Sequence, residues 1–129
     1  MLVIKIEPDV SPDVIGGMFQ AIREFETKTL IRFKMLSNEK DFISINAQDG
    51  CSSALGRQGA QQSLSLGNGC GGMATVIHEF MHALGVKHTQ TRLDRDEYVT
   101  IIKDNIDPDK YHNFEKHDYQ YRNRVEINN

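Results

Sequence analysis

The sequence predicts an α+β fold, and three patterns carry that prediction. Short apolar or alternating stretches at 2–6, 30–36, 41–46 and 61–66 read as strands. A stripe of Val14, Ile15, Met18, Phe19, Ile22 and Phe25 recurs at three- and four-residue steps, as in a helix lying on a sheet. The strongest helical pattern runs from Met73 to Leu84, and Gly85 is placed to end it.

In chain order, Leu2 to Ile6 is apolar apart from Lys5 and reads as the first strand. Ser11-Pro12 supplies a capping hydroxyl and a proline at the first helical position. Gly16-Gly17 weakens that helix locally and marks close packing. The stretch 30–36 puts Ile31, Phe33 and Met35 on one face and Arg32 and Lys34 on the other. A shorter strand follows at 41–46 with Ile43 and Ile45 inward; 50–60 reads as a Gly- and Ser-rich loop, and 61–66 as a strand with Leu64 and Leu66 alternating. Beyond Tyr98 the pattern fades into an apolar patch at 99–102, a turn at Asp107-Pro108-Asp109 and a polar tail from Tyr119 that takes no assignment. No repeat or linker marks a domain boundary.

Composition bounds the function. The 129 residues hold 15 Lys and Arg against 18 Asp and Glu, a net charge of −3, too mild to imply a nucleic-acid or anionic-membrane partner. No apolar run approaches the ~18–20 residues of a membrane span. Met1 to Ile6 is too short, and too soon interrupted by charge, for a signal peptide. Cys51 and Cys70 sit in turn-like surroundings expected to be accessible. A bridge would close a loop of about 20 residues, for which chain entropy gives ~3 kcal/mol. Two free thiols fit the spacing equally.

The chemistry lies in His78-Glu79-Phe80-Met81-His82-Ala83-Leu84-Gly85-Val86-Lys87-His88. Residues four apart share a helix face, so His78 and His82 present imidazoles to one point. A straight helix would carry the residue six past His82 away from it. Gly85 can turn the chain back in a left-handed conformation, letting His88 supply a third nitrogen. Three neutral imidazoles favour zinc, one ion per chain, and leave a position open as in a catalytic site. Glu79 can reach that open corner without ligating, and is expected to act as general base on zinc-bound water before passing the proton to the leaving amine. Chance gives H-E-x-x-H on the order of once in a hundred such chains; Gly85 and His88 lower that to on the order of a few in a hundred thousand. A buried helix with satisfied histidines would explain Phe80 and Met81, both expected in the core. It gives no reason for Gly85 and His88.

The stretch His88-Thr89-Gln90-Thr91-Arg92-Leu93-Asp94-Arg95-Asp96-Glu97-Tyr98-Val99 closely resembles the segment after the third zinc ligand in astacin-type metzincins. Residues 55–66 with Gly69-Cys70 are similar to that family's substrate-edge strand, and Thr29-Leu30-Ile31-Arg32-Phe33 matches a further signature. The resemblance implies a secreted zinc metalloendopeptidase hydrolysing internal bonds of peptide or protein substrates. It also implies a Cys51–Cys70 disulfide and a zincin-like upper subdomain: a twisted, mostly parallel sheet with an N-terminal helix and a zinc-binding helix. It further implies that the strand Gln62-Ser63-Leu64-Ser65-Leu66 binds an extended substrate. Residues 1–129 would then form a single partial astacin-like catalytic domain, its N-terminal half.

The chain departs from the family's pattern in several places. Leu30 stands where a cysteine is usual, and Thr89 where a glutamate anchors the mature N-terminus. Asp118-Tyr119-Gln120-Tyr121 resembles the lead-in to the family's methionine turn, but Arg122 to Asn129 follows in place of S-x-M-H-Y. The chain therefore reads as truncated before that turn, and a catalytically inactive zinc-binding fragment or pseudo-protease is the alternative expectation.

Other patterns are weaker. Gly67-Asn68-Gly69-Cys70-Gly71-Gly72 fits G-x-G-x-x-G, with Asp94 at a plausible distance for a ribose carboxylate, but the helix it opens bears His78 and His82. Asp104, Asp107 and Asp109 match no calcium-loop spacing. Asp94, Arg95 and Asp96 read as an ion-pair network supporting the zinc loop, and His112 and His117 as surface residues.

Overall fold

In the computed structural model, which describes residues 1–117, the first strand β1 (Leu2–Ile6) belongs to a five-stranded sheet. The others are β2 (Phe33–Met35), β3 (Phe42–Asn46), β4 (Cys51–Ser53) and β5 (Gln61–Leu66), in the order β2-β1-β3-β5-β4. β1 pairs in parallel with β2 and β3, and β3 with β5, while β4 runs antiparallel to β5. The α+β class and the mostly parallel sheet are as expected. The described residues fall into two compact units, 1–86 and from Lys87 onward. No helix among the described residues is long and apolar enough to cross a membrane.

In the first unit, α1 (Pro12–Lys28) starts as its sequence dictates: the Ser11 hydroxyl accepts the Val14 N–H at 3.4 Å, and Pro12 fills the first turn. It ends where Thr29 drops into extended backbone. Register then aligns the inward residues into one row: Ile4 opposite Ile43, Ile6 opposite Ile45, Ile45 opposite Leu64. Val14, Met18, Ala21 and Phe25 of α1 join them, as do Val76, Phe80 and Ala83 of α2 (Met73–Ala83). Phe25, Phe33 and Phe80 form an aromatic cluster, with Phe33 and Phe80 ring centroids 4.9 Å apart. The helices meet at Gly17, where a methyl group would collide with the Gly71 carbonyl. Gly16 has open space and no such role.

Several expectations need correction. Phe19 is 62% exposed, because it lies about 100° round the helix from the buried Met18. The strand expected at 30–36 shrinks to Phe33–Met35 at the sheet edge, leaving Leu30 and Met35 exposed. There the outward Phe33 N–H is taken by the Glu26 carboxylate at 3.1 Å. Within the expected loop 50–60, β4 forms through backbone pairing of Cys51, Ser52 and Ser53 with Leu66, Ser65 and Leu64, which no apolar pattern announces. Phe80 is buried as expected, but Met81 is on the exposed side of α2.

The second unit is built, among its described residues, from short 3-10 turns at Thr89–Thr91, Arg95–Glu97, Lys103–Asn105 and Pro108–Phe114. Arg95 ties them together. Its Nη1 donates to the carbonyls of Gln90, at 2.8 Å, and of Phe114, and its Nε to Asp96 at 2.9 Å. Lys116 also pairs with Asp96, and Arg92 grips Asp94 through two bonds of 2.7 and 2.6 Å. Arg92 holds the Asp94 carboxyl below its ordinary range, and Lys116 followed by Arg95 does so for Asp96. His112 and His117 are exposed. Asp118-Tyr119-Gln120-Tyr121 and the tail to Asn129 lie outside the described residues.

Candidate metal centre

The end of α2 is fixed by a glycine. Gly85 has φ +93°, a region L side chains rarely adopt, and there the chain reverses. The Val86 N–H reaches back to the Met81 carbonyl at 2.9 Å and the Gly85 N–H to that of His82 at 2.8 Å, the two bonds of a Schellman cap. The imidazoles follow. Ligand atoms of His78, His82 and His88 all lie within 4.8 Å of one another. The His78 and His82 rings meet nearly at right angles, centroids 4.5 Å apart. Nδ1 of His82 lies 2.8 Å from the Val86 carbonyl. A carbonyl can only accept, so this nitrogen carries the proton and Nε2 keeps its lone pair for a metal. Past His88, the Thr91 hydroxyl and N–H both donate to the His88 carbonyl, at 2.8 and 3.2 Å.

Glu79 is 4% exposed, and its Oε2 has no hydrogen-bond partner among the described residues. An orphaned buried carboxylate oxygen costs about 1–3 kcal/mol or more. Glu79 follows His78 on the same helix, and a buried oxygen left for a polar ligand suits a metal site. The donor set and this oxygen fit zinc. Among the described residues, Asp104, Asp107 and Asp109 form no comparable group.

Cys51 and Cys70 are joined by a disulfide, Cα atoms 5.8 Å apart, which fastens β4 to the turn before α2. Cys70 is buried, not accessible as the turn-like sequence suggests; Cys51 is exposed. Of the glycines that fit G-x-G-x-x-G, Gly67 serves packing, since a methyl there would strike the Gln48 carbonyl, and Gly69 turns the chain at φ +83°. Among the described residues no strand follows α2, so the dinucleotide pattern has no second half.

The strand expected to bind substrate, Gln62 to Leu66, lies within β5. β5 is interior, with β3 on one side and β4 covering Leu64 to Leu66 on the other. Gln62, Leu64, Ser65 and Leu66 are buried, and Ser63 is exposed. β4 is the sheet's edge on this side, so a peptide adding to the sheet there pairs with β4. Sequence reasoning missed Gly56, whose N–H donates to the His82 carbonyl at 2.8 Å. It also missed the inward position of Gln62, though the alternation Gln62, Leu64, Leu66 signals it.

The family profile described as Astacin, a peptidase family, matches residues 3–128. High choriolytic enzyme 1 of Oryzias latipes is 52% identical over 114 residues, covering 88% of this chain and 42% of that protein. Meprin A subunit beta of Mus musculus is 43% identical over 110 residues, covering 84% of this chain and 16% of that protein. The solved structure of High choriolytic enzyme 1, a hatching enzyme zinc-protease, superposes with a TM-score of 0.83 at 45% identity over 91% of this chain and 59% of that one. The chain thus spans less than half the length of these two relatives.

Proposed function

Because the chain belongs to the astacin family of peptidases, we propose that it carries the metal-binding and proton-transfer segment of a zinc-dependent endopeptidase acting on peptide and protein substrates. The observation that supports this most is the convergence of three imidazoles, with His78 and His82 on the same helix as the buried Glu79 and His88 past the turn at Gly85. His78, His82 and His88 would hold one zinc ion per chain. When bound, zinc supplies Lewis-acid polarisation of the scissile carbonyl and acidifies a water. Glu79 accepts the proton of the attacking water at Oε2 and delivers it to the departing amine nitrogen. Burial keeps bulk water from this carboxylate, and no protein donor competes for Oε2 among the described residues.

An extended peptide binds by main-chain pairing to the edge strand β4, with Leu64 to Leu66 of β5 backing it. The Cys51–Cys70 disulfide supports an oxidising, extracellular setting. The test is zinc titration beside a quenched-fluorescent peptide assay of the chain and of Glu79→Gln. Stoichiometric zinc, with cleavage abolished in the variant, supports the reading. No zinc uptake overturns it, and zinc without cleavage points to the inactive-fragment or pseudo-protease alternative.

A further inference from the structure

Gln62 is a polar residue in an apolar row. It precedes Leu64 and Leu66 on the inward side of β5, stands opposite Ile43 of β3, and is 8% exposed. A buried primary amide is destabilising unless its acceptor and donors are engaged. Here both ends are used on one short segment. Oε1 accepts the Gln58 N–H at 3.0 Å, and Nε2 donates to the Gly56 carbonyl at 3.1 Å. The Gly56 N–H in turn donates to the carbonyl of His82, and a methyl added at Gly56 would come into van der Waals contact with the Gly85 Cα. The amide thus holds the carbonyl of a residue whose N–H bears on the last turn of α2, at the residue whose imidazole is proposed to ligate the metal. The same segment continues from β4, so the brace runs between the sheet edge and the metal centre.

We propose that Gln62 is a positioning residue: by fixing Gly56 through its carbonyl it keeps the Gly56 N–H on the His82 carbonyl, and so keeps the His82 imidazole in ligand geometry. The inference rests on the zinc reading of His78, His82 and His88. Gln62 itself touches neither metal nor substrate in this role.

The experiment uses the full chain with Gln62→Met, which removes both hydrogen bonds at similar volume, and Gln62→Glu, which keeps the acceptor for Gln58 and loses the donor to Gly56. Gln61→Met, on the exposed side of β5, is the control. Three quantities are measured: amide exchange at Gly56 and in mid-α2, zinc affinity by chelator competition, and the visible spectrum of the cobalt-substituted protein. Gln62→Met is expected to speed Gly56 exchange by about tenfold or more while mid-α2 amides stay within about twofold. It should weaken zinc by about tenfold and shift the cobalt bands, with Gln62→Glu intermediate. Unchanged Gly56 exchange, or unchanged zinc affinity and cobalt spectrum, overturns the proposal. If Gln62→Met does not fold, Gln62→Glu against Gln61→Met decides by the same criteria. A wild-type chain that takes up no zinc overturns the metal reading itself, an outcome distinct from equal binding by wild type and variants.

Discussion

The Nδ1 atom of His82 and the carbonyl oxygen of Val86 lie 2.8 Å apart across the left-handed turn at Gly85. Helix termination and imidazole tautomer are therefore one feature: the reversal that ends α2 delivers the acceptor that leaves Nε2 with its lone pair.

Gly85→Ala should disturb both. A side chain at φ +93° carries strain of about 1–3 kcal/mol, and relieving it moves the Val86 carbonyl. Urea unfolding should show that loss, and chelator competition a weaker zinc complex. Wild-type values in both measurements would contradict the coupling.

Glu79→Gln keeps the shape of the side chain and removes its capacity to accept a proton. Where the wild-type protein cleaves peptides, kcat should fall by about 10²–10⁴-fold with zinc content unchanged. Retained turnover would show that another group takes the proton.

Replacing Cys51 and Cys70 by serine releases the tie between β4 and the start of α2. Chain entropy puts the loss at about 3 kcal/mol, and the buried position of Cys70 adds to it. Denaturant midpoints of the oxidised protein and the double variant check this.

Phe80→Ala opens the centre of the aromatic cluster and should cost about 3–5 kcal/mol. Phe19→Ala, on the exposed side of α1, should change stability by only about 0.5 kcal/mol. Similar losses in the two would mean the core is not where Phe25, Phe33 and Phe80 place it.

Glu39 gives a pH-dependent signature. The hydrogen bond from Lys34, then those from the Ser37, Glu39 and Asn38 backbone, lower its pKa from 4.5 to about 2. Folding thus favours the ionised form. This contribution is fully present above pH 4.5 and is lost as pH falls through about 2. Carbon-detected NMR titration should find Glu39 ionising near the lower value, and Lys34→Ala should move it upward.

Legibility followed how each feature is encoded. The metal-binding helix was readable because ligand spacing, Gly85 and His88 are side-chain identities at fixed offsets. α1 was readable from its stripe, although periodicity alone placed Phe19 inside. β4 was not readable: Cys51-Ser52-Ser53 has no apolar alternation, and its strand character comes from backbone pairing with Leu64, Ser65 and Leu66 across an intervening loop. Gln62 lies in the segment that family likeness marks for substrate, and nothing in that likeness announces its hydrogen bonds. Its partners, Gly56 and Gln58, come within reach only once the loop folds back on β5.

The sheet's two ends differ chemically. At β2 the strand is three residues long and Glu26 occupies the outward Phe33 N–H; at the other end lies β4. A strand added at β2 would have to displace Glu26 from that N–H, so main-chain pairing by an incoming strand is directed to the β4 end.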